Sequence, residues 1–171
     1  MSGNQAKDPS PLPYLDTKDV GAADFYFGIN ATFRFIERKL GLDGLRRYWK
    51  EMGRDYFRPV TERWKQGGLP AVAGYWRAFF AAEPGAEVRV TEEKDRVVLE
   101  VMLCPAIAHL RKHDREVARH FCQHCFYVSD AMGEGAGLTC RVTGGNGTCR
   151  QEFLFRAATT AQDLGKITLC S

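Results

Sequence analysis

EVRVTEEKDRVVLEVMLC, residues 87–104, alternates apolar and polar side chains on both sides of a charged centre. Val88 and Val90 precede the polar turn, and Val97, Leu99, Val101 and Leu103 follow it. A two-residue period puts these side chains on one face of a pleated backbone, so the stretch reads as a β-hairpin. The segments upstream follow a helical period instead. The change of period in mid-chain sets the class as α+β, with N-terminal helices, a hairpin, two helices and a second hairpin forming an antiparallel sheet covered by helices.

Working towards the N-terminus, Leu69 to Glu83 carries Val72, Trp76, Phe79 and Phe80 at helical spacing, read as an inward stripe. Before "QGG", a helix opens at Asp43 as N-cap and aligns Leu45, Tyr48, Trp49, Met52 and Tyr56. Pro59 is expected to kink or interrupt it before Val60 and Trp64 continue the face. A first helix runs from Asp19 to Leu40 through Phe25, Ile29, Phe33 and Ile36, with Gly41 as its stop. Residues 1–18 hold Pro9, Pro11 and Pro13 among small polar residues and read as an extended arm, which leaves 19–171 as a single α+β domain.

Working towards the C-terminus, Pro105 stops the second strand and suits the first turn of a helix, which makes Cys104 its N-cap or neighbour. That helix reaches Lys112, and another is expected from Asp114 to Met132. "GEGAG" breaks the chain, and alternating runs at Leu138–Thr143 and Thr148–Phe155 flank "GGNG" as the second hairpin. The tail from Ala157 to Ser171 carries no clear period.

A chain of 171 residues with 44% hydrophobic residues can bury one real core, while a net charge of +3 is too weak for a nucleic-acid footprint. Arg46, Arg47, Lys50 and Arg54 share a helix with Glu51 and Asp55 and read as a solvated face. No signal-peptide core and no long apolar run is present, so a cytoplasmic protein is expected, with no membrane or nucleic-acid partner. Self-association is left open. A dinucleotide fingerprint, a phosphate loop, a His-Glu-x-x-His pair and a nucleophile-elbow serine are all missing from the sequence.

Six cysteines in a reducing compartment point to free thiols or metal ligands rather than bridges. Steps of about 100° per residue along the helix expected from Asp114 put Val117, Phe121, His124, Cys125, Val128 and Met132 on one inward arc. Cys122 lies at its edge, one turn from Cys125, so both sulfurs can reach one ion. His120 and His124 form a second pair that points away from Cys122. A two-residue turn at Gly145 and Asn146 is expected to set Val142 opposite Cys149 and Leu138 opposite Phe153, with Cys140, Cys149, Phe153 and Phe155 on the core face. Cys104, at a helix N-terminus, is expected to have a lowered pKa.

The candidate metal ligands are therefore Cys104, Cys122, Cys125 and Cys149, holding a divalent ion, zinc or manganese, or alternatively an iron–sulfur cluster. Cys104 and Cys122 are the candidate nucleophiles, with His120 or His124 moving protons near neutral pH. In the competing reading the thiols only pack, which is assigned to Cys170 outright, while His109 and His113 are read as solvated. A thioredoxin-like site is excluded because no βαβ unit precedes the Cys-x-x-Cys.

Cys104-Pro105 at a strand end, Cys122 on a following helix and Gly145-x-x-x-Cys149 on the closing hairpin resemble the L-2-amino-thiazoline-4-carboxylic acid hydrolase family of bacterial proteins. The likeness extends from Asp19 to Phe155. It implies hydrolysis of a carbon–nitrogen bond in a small cyclic amidine. The chain departs from the family pattern in carrying Cys125 where an acidic residue is usual and Gln151 where a phenylalanine is usual. The same layout is similar to 4-vinyl-reductase-type domains, which implies the alternative of a non-enzymatic small-molecule sensor with a structural zinc or iron–sulfur centre.

Overall fold

A computed structural model describes residues 22–171. The proline-rich arm at 1–18 and the expected start of the first helix at Asp19 lie outside the described residues. α1 (Phe25–Glu51) contains a break at Gly41, where φ 68° and ψ 178° reset the chain just before Asp43. Only glycine adopts that backbone without strain, so the expected stop becomes a kink between two helical halves. A π-helical turn (Met52–Tyr56) then leads into α2 (Arg58–Ala82) with Pro59 in its first turn, where a missing N–H costs nothing. Pro59 thus interrupts as expected, and Gly68 at φ 58° breaks α2 before Leu69 and Pro70.

The sheet comprises β1 (Glu87–Glu92), β2 (Arg96–Leu103), β3 (Leu138–Gly145), β4 (Thr148–Phe155) and β5 (Ile167–Thr168), in the order β1-β2-β4-β3-β5. The four long strands pair antiparallel, but β5 joins β3 in parallel at Gly144 and Gly145, so the sheet is mixed rather than purely antiparallel. A strand of two residues leaves no periodicity to read.

One face of the sheet is covered by the helices. Phe33, Leu45 and Trp49 of α1, Val60, Trp64 and Val72 of α2, Leu99 of β2, Leu138 of β3 and Phe153 of β4 are all buried there. Trp64 meets Phe153 edge-on at 5.5 Å, and Trp49 stacks on Tyr127 at 5.9 Å. Each such ring removes enough apolar surface from water to stabilise the fold by about 2–3 kcal/mol. Phe79, expected to point inward, is exposed, because Tyr75 and Trp76 already fill the stripe and Phe79 stacks outside them. The opposite sheet face is charged. Arg89, Glu100, Arg150, Glu152 and Arg96 form a ladder of ion pairs at 3.2–3.5 Å, which keeps that face wetted more than it stabilises it.

α3 (Pro105–Lys112) ends in Asp114 at φ 51°, and α4 spans Gln123–Glu134 rather than starting at Asp114. The cause is tertiary. Asn30, buried in α1, donates to Glu116 O at 2.9 Å and accepts from Ala118 N at 2.8 Å, as a neighbouring strand would. These bonds hold 115–118 out of helix and override the helical period written in the same residues. α4 packs on β3 and against the π-helical turn, where Gly53 comes so close that a Cβ on it would lie 2.5 Å from Val128 O. No helix among the described residues is long and apolar enough to cross a membrane.

Candidate functional site

The site is built on the β3–β4 turn. Asn146 at φ 58° and Gly147 at φ 120° form the two-residue loop, so Gly144 pairs with Cys149, Val142 with Gln151 and Leu138 with Phe155. The expected loop at Gly145 and Asn146 is corrected by one position. The pairing moves by two residues, so every side chain keeps its face, with Cys140, Cys149 and Phe153 towards the helices and Phe155 at the exposed end. Asn-Gly accepts left-handed backbone at both central positions more readily than Gly-Asn does with the hairpin's twist, and that selects the loop.

Three elements converge on this turn: α3, α4 and the segment beyond β5. Cys104, the N-cap of α3, donates its N–H to Gly147 O at 2.9 Å. Cys122, the N-cap of α4, accepts from Asn146 N at 3.1 Å through Sγ. Arg111 of α3 donates to Asn146 O at 3.1 Å and to Ser171 O at 3.2 Å. Beyond β5, Cys170 donates its N–H to Arg119 O at 2.8 Å, which brings its sulfur 3.5 Å from that of Cys122.

Cys125, in the first turn of α4, is the centre of the thiol group. A charge on it would be felt at Cys104, Cys122, Cys140 and Cys149, each raised in pKa partly by it. The structure thus brings the four candidate metal ligands into one neighbourhood. Among the described residues, however, no three His, Cys, Asp or Glu side chains are grouped to hold one ion. Thiolates on one tetrahedral zinc stand about 3.8 Å apart, from a Zn–S bond of about 2.3 Å. The Cys122–Cys170 pair, at 3.5 Å, comes close to that spacing.

Burial dominates the protonation of most of these thiols. It pushes Cys104 up to about 11, against the opposing pull of the Ile107 and Ala106 N–H groups at the head of α3. The expected lowering is therefore reversed, since a helix N-terminus offers about 1 kcal/mol while desolvation shifts a buried group by several pKa units. Burial likewise pushes Cys125 and Cys149 up to about 12, and Cys140, fully buried on β3, well above the ordinary value. Cys170 goes the other way, down to about 7. The Cys122 thiol donates to it, and the Cys122 and Asn146 N–H groups and the Arg111 cation add to that against the cost of burial. Cys122 correspondingly holds its proton, its pKa raised first by that hydrogen bond and then by burial.

The two candidate histidines part company. His120 lies before α4 and pairs with Glu37 of α1 at 2.7 Å. His124 turns Nδ1 to Phe121 O at 2.6 Å, so Nδ1 carries the proton and Nε2 keeps its lone pair. Its ring sits against Phe33 and Phe121, and burial lowers its pKa, which keeps it neutral. His109 is not simply solvated, because it stacks near Phe27 and meets Asp24 at 3.1 Å.

Sequence reasoning missed Cys170 and Gln151. Gln151, 5% exposed, directs its amide at Cys149 Sγ at 3.6 Å and also lowers the pKa of Cys125 by hydrogen bonding, so one side chain bridges two thiols. A glutamine between Cys149 and Phe153 on the core-facing period of β4 was the available signal. Cys170 had none, because the contacts that bring it in, the parallel β3–β5 bridge and the bond to Arg119 O among them, are all distant in sequence. No family model, curated protein or solved structure matches the chain.

Proposed function

We propose that this protein is a thiol-dependent hydrolase acting on a carbon–nitrogen bond of a small cyclic substrate in the cytoplasm. Cys170 is the nucleophile and Cys122 the proton-holding partner. The single observation behind this is the Cys122–Cys170 sulfur pair at 3.5 Å, one member ionising near 7 and the other keeping its proton. A thiolate beside a protonated donor and a cation is the form that attacks an electrophilic carbon at neutral pH. In the step proposed, the Cys170 sulfur adds to an amidine carbon while the C=N π pair withdraws to nitrogen, which takes the Cys122 proton. The amine leaves, and water then cleaves the carbon–sulfur bond and returns the proton. The Asn146 N–H is placed to stabilise charge at the sulfurs. His124, neutral and enclosed by aromatic rings, supports this role less than Cys122 does. The resemblance of the Cys104-Pro105, Cys122 and Gly145-x-x-x-Cys149 motifs to the thiazoline hydrolases suggests the first substrate to try.

The test is turnover of L-2-amino-thiazoline-4-carboxylate by wild type, Cys170→Ser and Cys140→Ser, alongside the pH profile of iodoacetamide labelling at Cys170. Loss of turnover confined to Cys170→Ser, with labelling half-maximal near pH 7, is the expected result. Equal turnover in all three, or one equivalent of zinc that Cys122→Ser releases without unfolding, would overturn it in favour of a metal centre.

A sensor reading rests on a different observation. A cavity of about 300 Å³ lies between α2 and β1, lined by Arg77, Phe80, Ala81, Ala86, Val88 and Val90. Apolar walls with one guanidinium suit a small amphipathic anion. Saturable binding of such a ligand, lost in Val88→Arg, without turnover, would favour this alternative.

A further inference from the structure

We infer that Cys122 and Cys170 are a modification site: a hydroperoxide oxidises this pair to a reversible intrachain disulfide that fastens β5 onto the β3–β4 turn. The pair joins segments 48 residues apart, and its approach is held from several sides. Cys170 N–H is bonded to Arg119 O, and Thr168 pairs with Gly145 in the parallel bridge. The Asn146 side chain bonds both the hydroxyl and the backbone of Ser171, donating from Nδ2 to Ser171 Oγ at 3.2 Å and accepting from Ser171 N at Oδ1 at 3.4 Å. Gly145 leaves the room required. A Cβ there would lie 2.5 Å from Thr168 O and 3.2 Å from Cys122 Cβ. The two sulfurs therefore meet because the backbone around them is fixed.

The chemistry balances within the pair and the oxidant. The Cys170 sulfur, faced by the Arg111 guanidinium, attacks one peroxide oxygen, the O–O bond breaks, and an alkoxide or hydroxide leaves with sulfenic acid formed on Cys170. The Cys122 sulfur then attacks that sulfenic sulfur and the S–S bond forms. The hydroxyl departs as water with the Cys122 proton, so two electrons have passed from the thiols to the peroxide. A dithiol reductant reverses the exchange. Cys104, Cys125 and Cys149, half-buried, and Cys140, buried, hold their protons and have no second sulfur in hydrogen-bond reach among the bonds described, so they sit apart from this route.

The consequence for catalysis rests on the hydrolase reading, since the disulfide consumes its nucleophile, but the disulfide itself does not. The experiment treats reduced protein with one equivalent of hydrogen peroxide, blocks remaining thiols with N-ethylmaleimide and maps peptides by mass spectrometry. The expected result is a Cys122–Cys170 cross-link, about 2 Da lighter than the dithiol and reversed by dithiothreitol. Cys140→Ser retains it, and Cys122→Ser instead leaves a dimedone-reactive sulfenic acid on Cys170. A cross-link between other cysteines, a sulfenic acid elsewhere, or all six native thiols still blocked after treatment would overturn the inference. A clean cross-link in a protein that never turns over thiazoline leaves this inference standing and removes only the hydrolase reading.

Discussion

The two hairpins of the sheet share strand pairing and differ in their turns. The β1–β2 turn, Glu93 to Asp95, is charged and points to water, closed by Glu93 N to Arg96 O at 2.8 Å and by Arg96 to Asp95. The β3–β4 turn is built of Gly145, Asn146 and Gly147, all at positive φ, and lies under Cys104, Cys122, Arg111 and β5. A left-handed backbone with little side chain presents its own N–H and C=O groups, and here they meet sulfur and guanidinium. The first turn connects two strands, while the second also gathers α3, α4 and β5.

The largest expected effect comes from breaking the second turn. Gly145→Ala puts a methyl group against Thr168 O and Cys122 at φ 151°. A loss of about 3 kcal/mol in urea unfolding is expected, with faster hydrogen exchange at Gly144–Gly145 and Ile167–Thr168. Next is Asn30→Ala, which strips Ala118 N of its acceptor and leaves Glu116 O only the longer bond from Arg34 at 3.4 Å. A cost of about 2 kcal/mol is expected by the same measurement, because buried backbone groups lose their bonds.

A pH series sharpens the contrast further. Cys170 is ionised in the folded state above about 7, against an ordinary thiol value of 9.0. Its contribution is therefore complete above pH 9 and is lost as pH falls through 7, so stability rises between pH 7 and 9 by about 1–2 kcal/mol. Cys104, Cys125 and Cys149 have raised values and act oppositely. Above pH 9 the unfolded chain releases their protons first, and stability falls. Denaturation midpoints across pH 6–11 should peak near 9, and Cys170→Ser should flatten the acid side. Smallest of all, Lys94→Ala in the exposed turn should change stability by less than about 0.5 kcal/mol. A larger loss would mean that the two turns are not as different as drawn.

The change of period at residues 87–104 made the α+β class and the first hairpin readable, and Cys104-Pro105 marked the strand-to-helix junction. Residues 114–122 misled because their apolar spacing is helical, and nothing local reveals that Asn30 bonds their backbone from 86–88 residues away. The turn register slipped while the faces survived, since a two-residue shift restores the alternation. Cys125, expected to be buried, is half-buried, and the weight of desolvation against the helix dipole at Cys104 had no signal in the sequence. Cys170 was hidden by topology, because a parallel bridge of two residues leaves no local trace in the chain.

The bare backbone of Gly53 touches α4 near its midpoint, at Val128 and Ala131, while Cys122 and Cys125 ride on the end nearer the turn. The far end is tied as well, by Arg54 to Glu134 at 3.0 Å and by Thr61 Oγ1 to Met132 O at 2.9 Å. With its sulfur-bearing end bonded to Asn146 N, the helix is a beam clamped at three stations, so the sulfurs inherit their position from contacts along its whole length. Amide protection should accordingly be greatest around Val128 and Ala131, where the clamp is tightest.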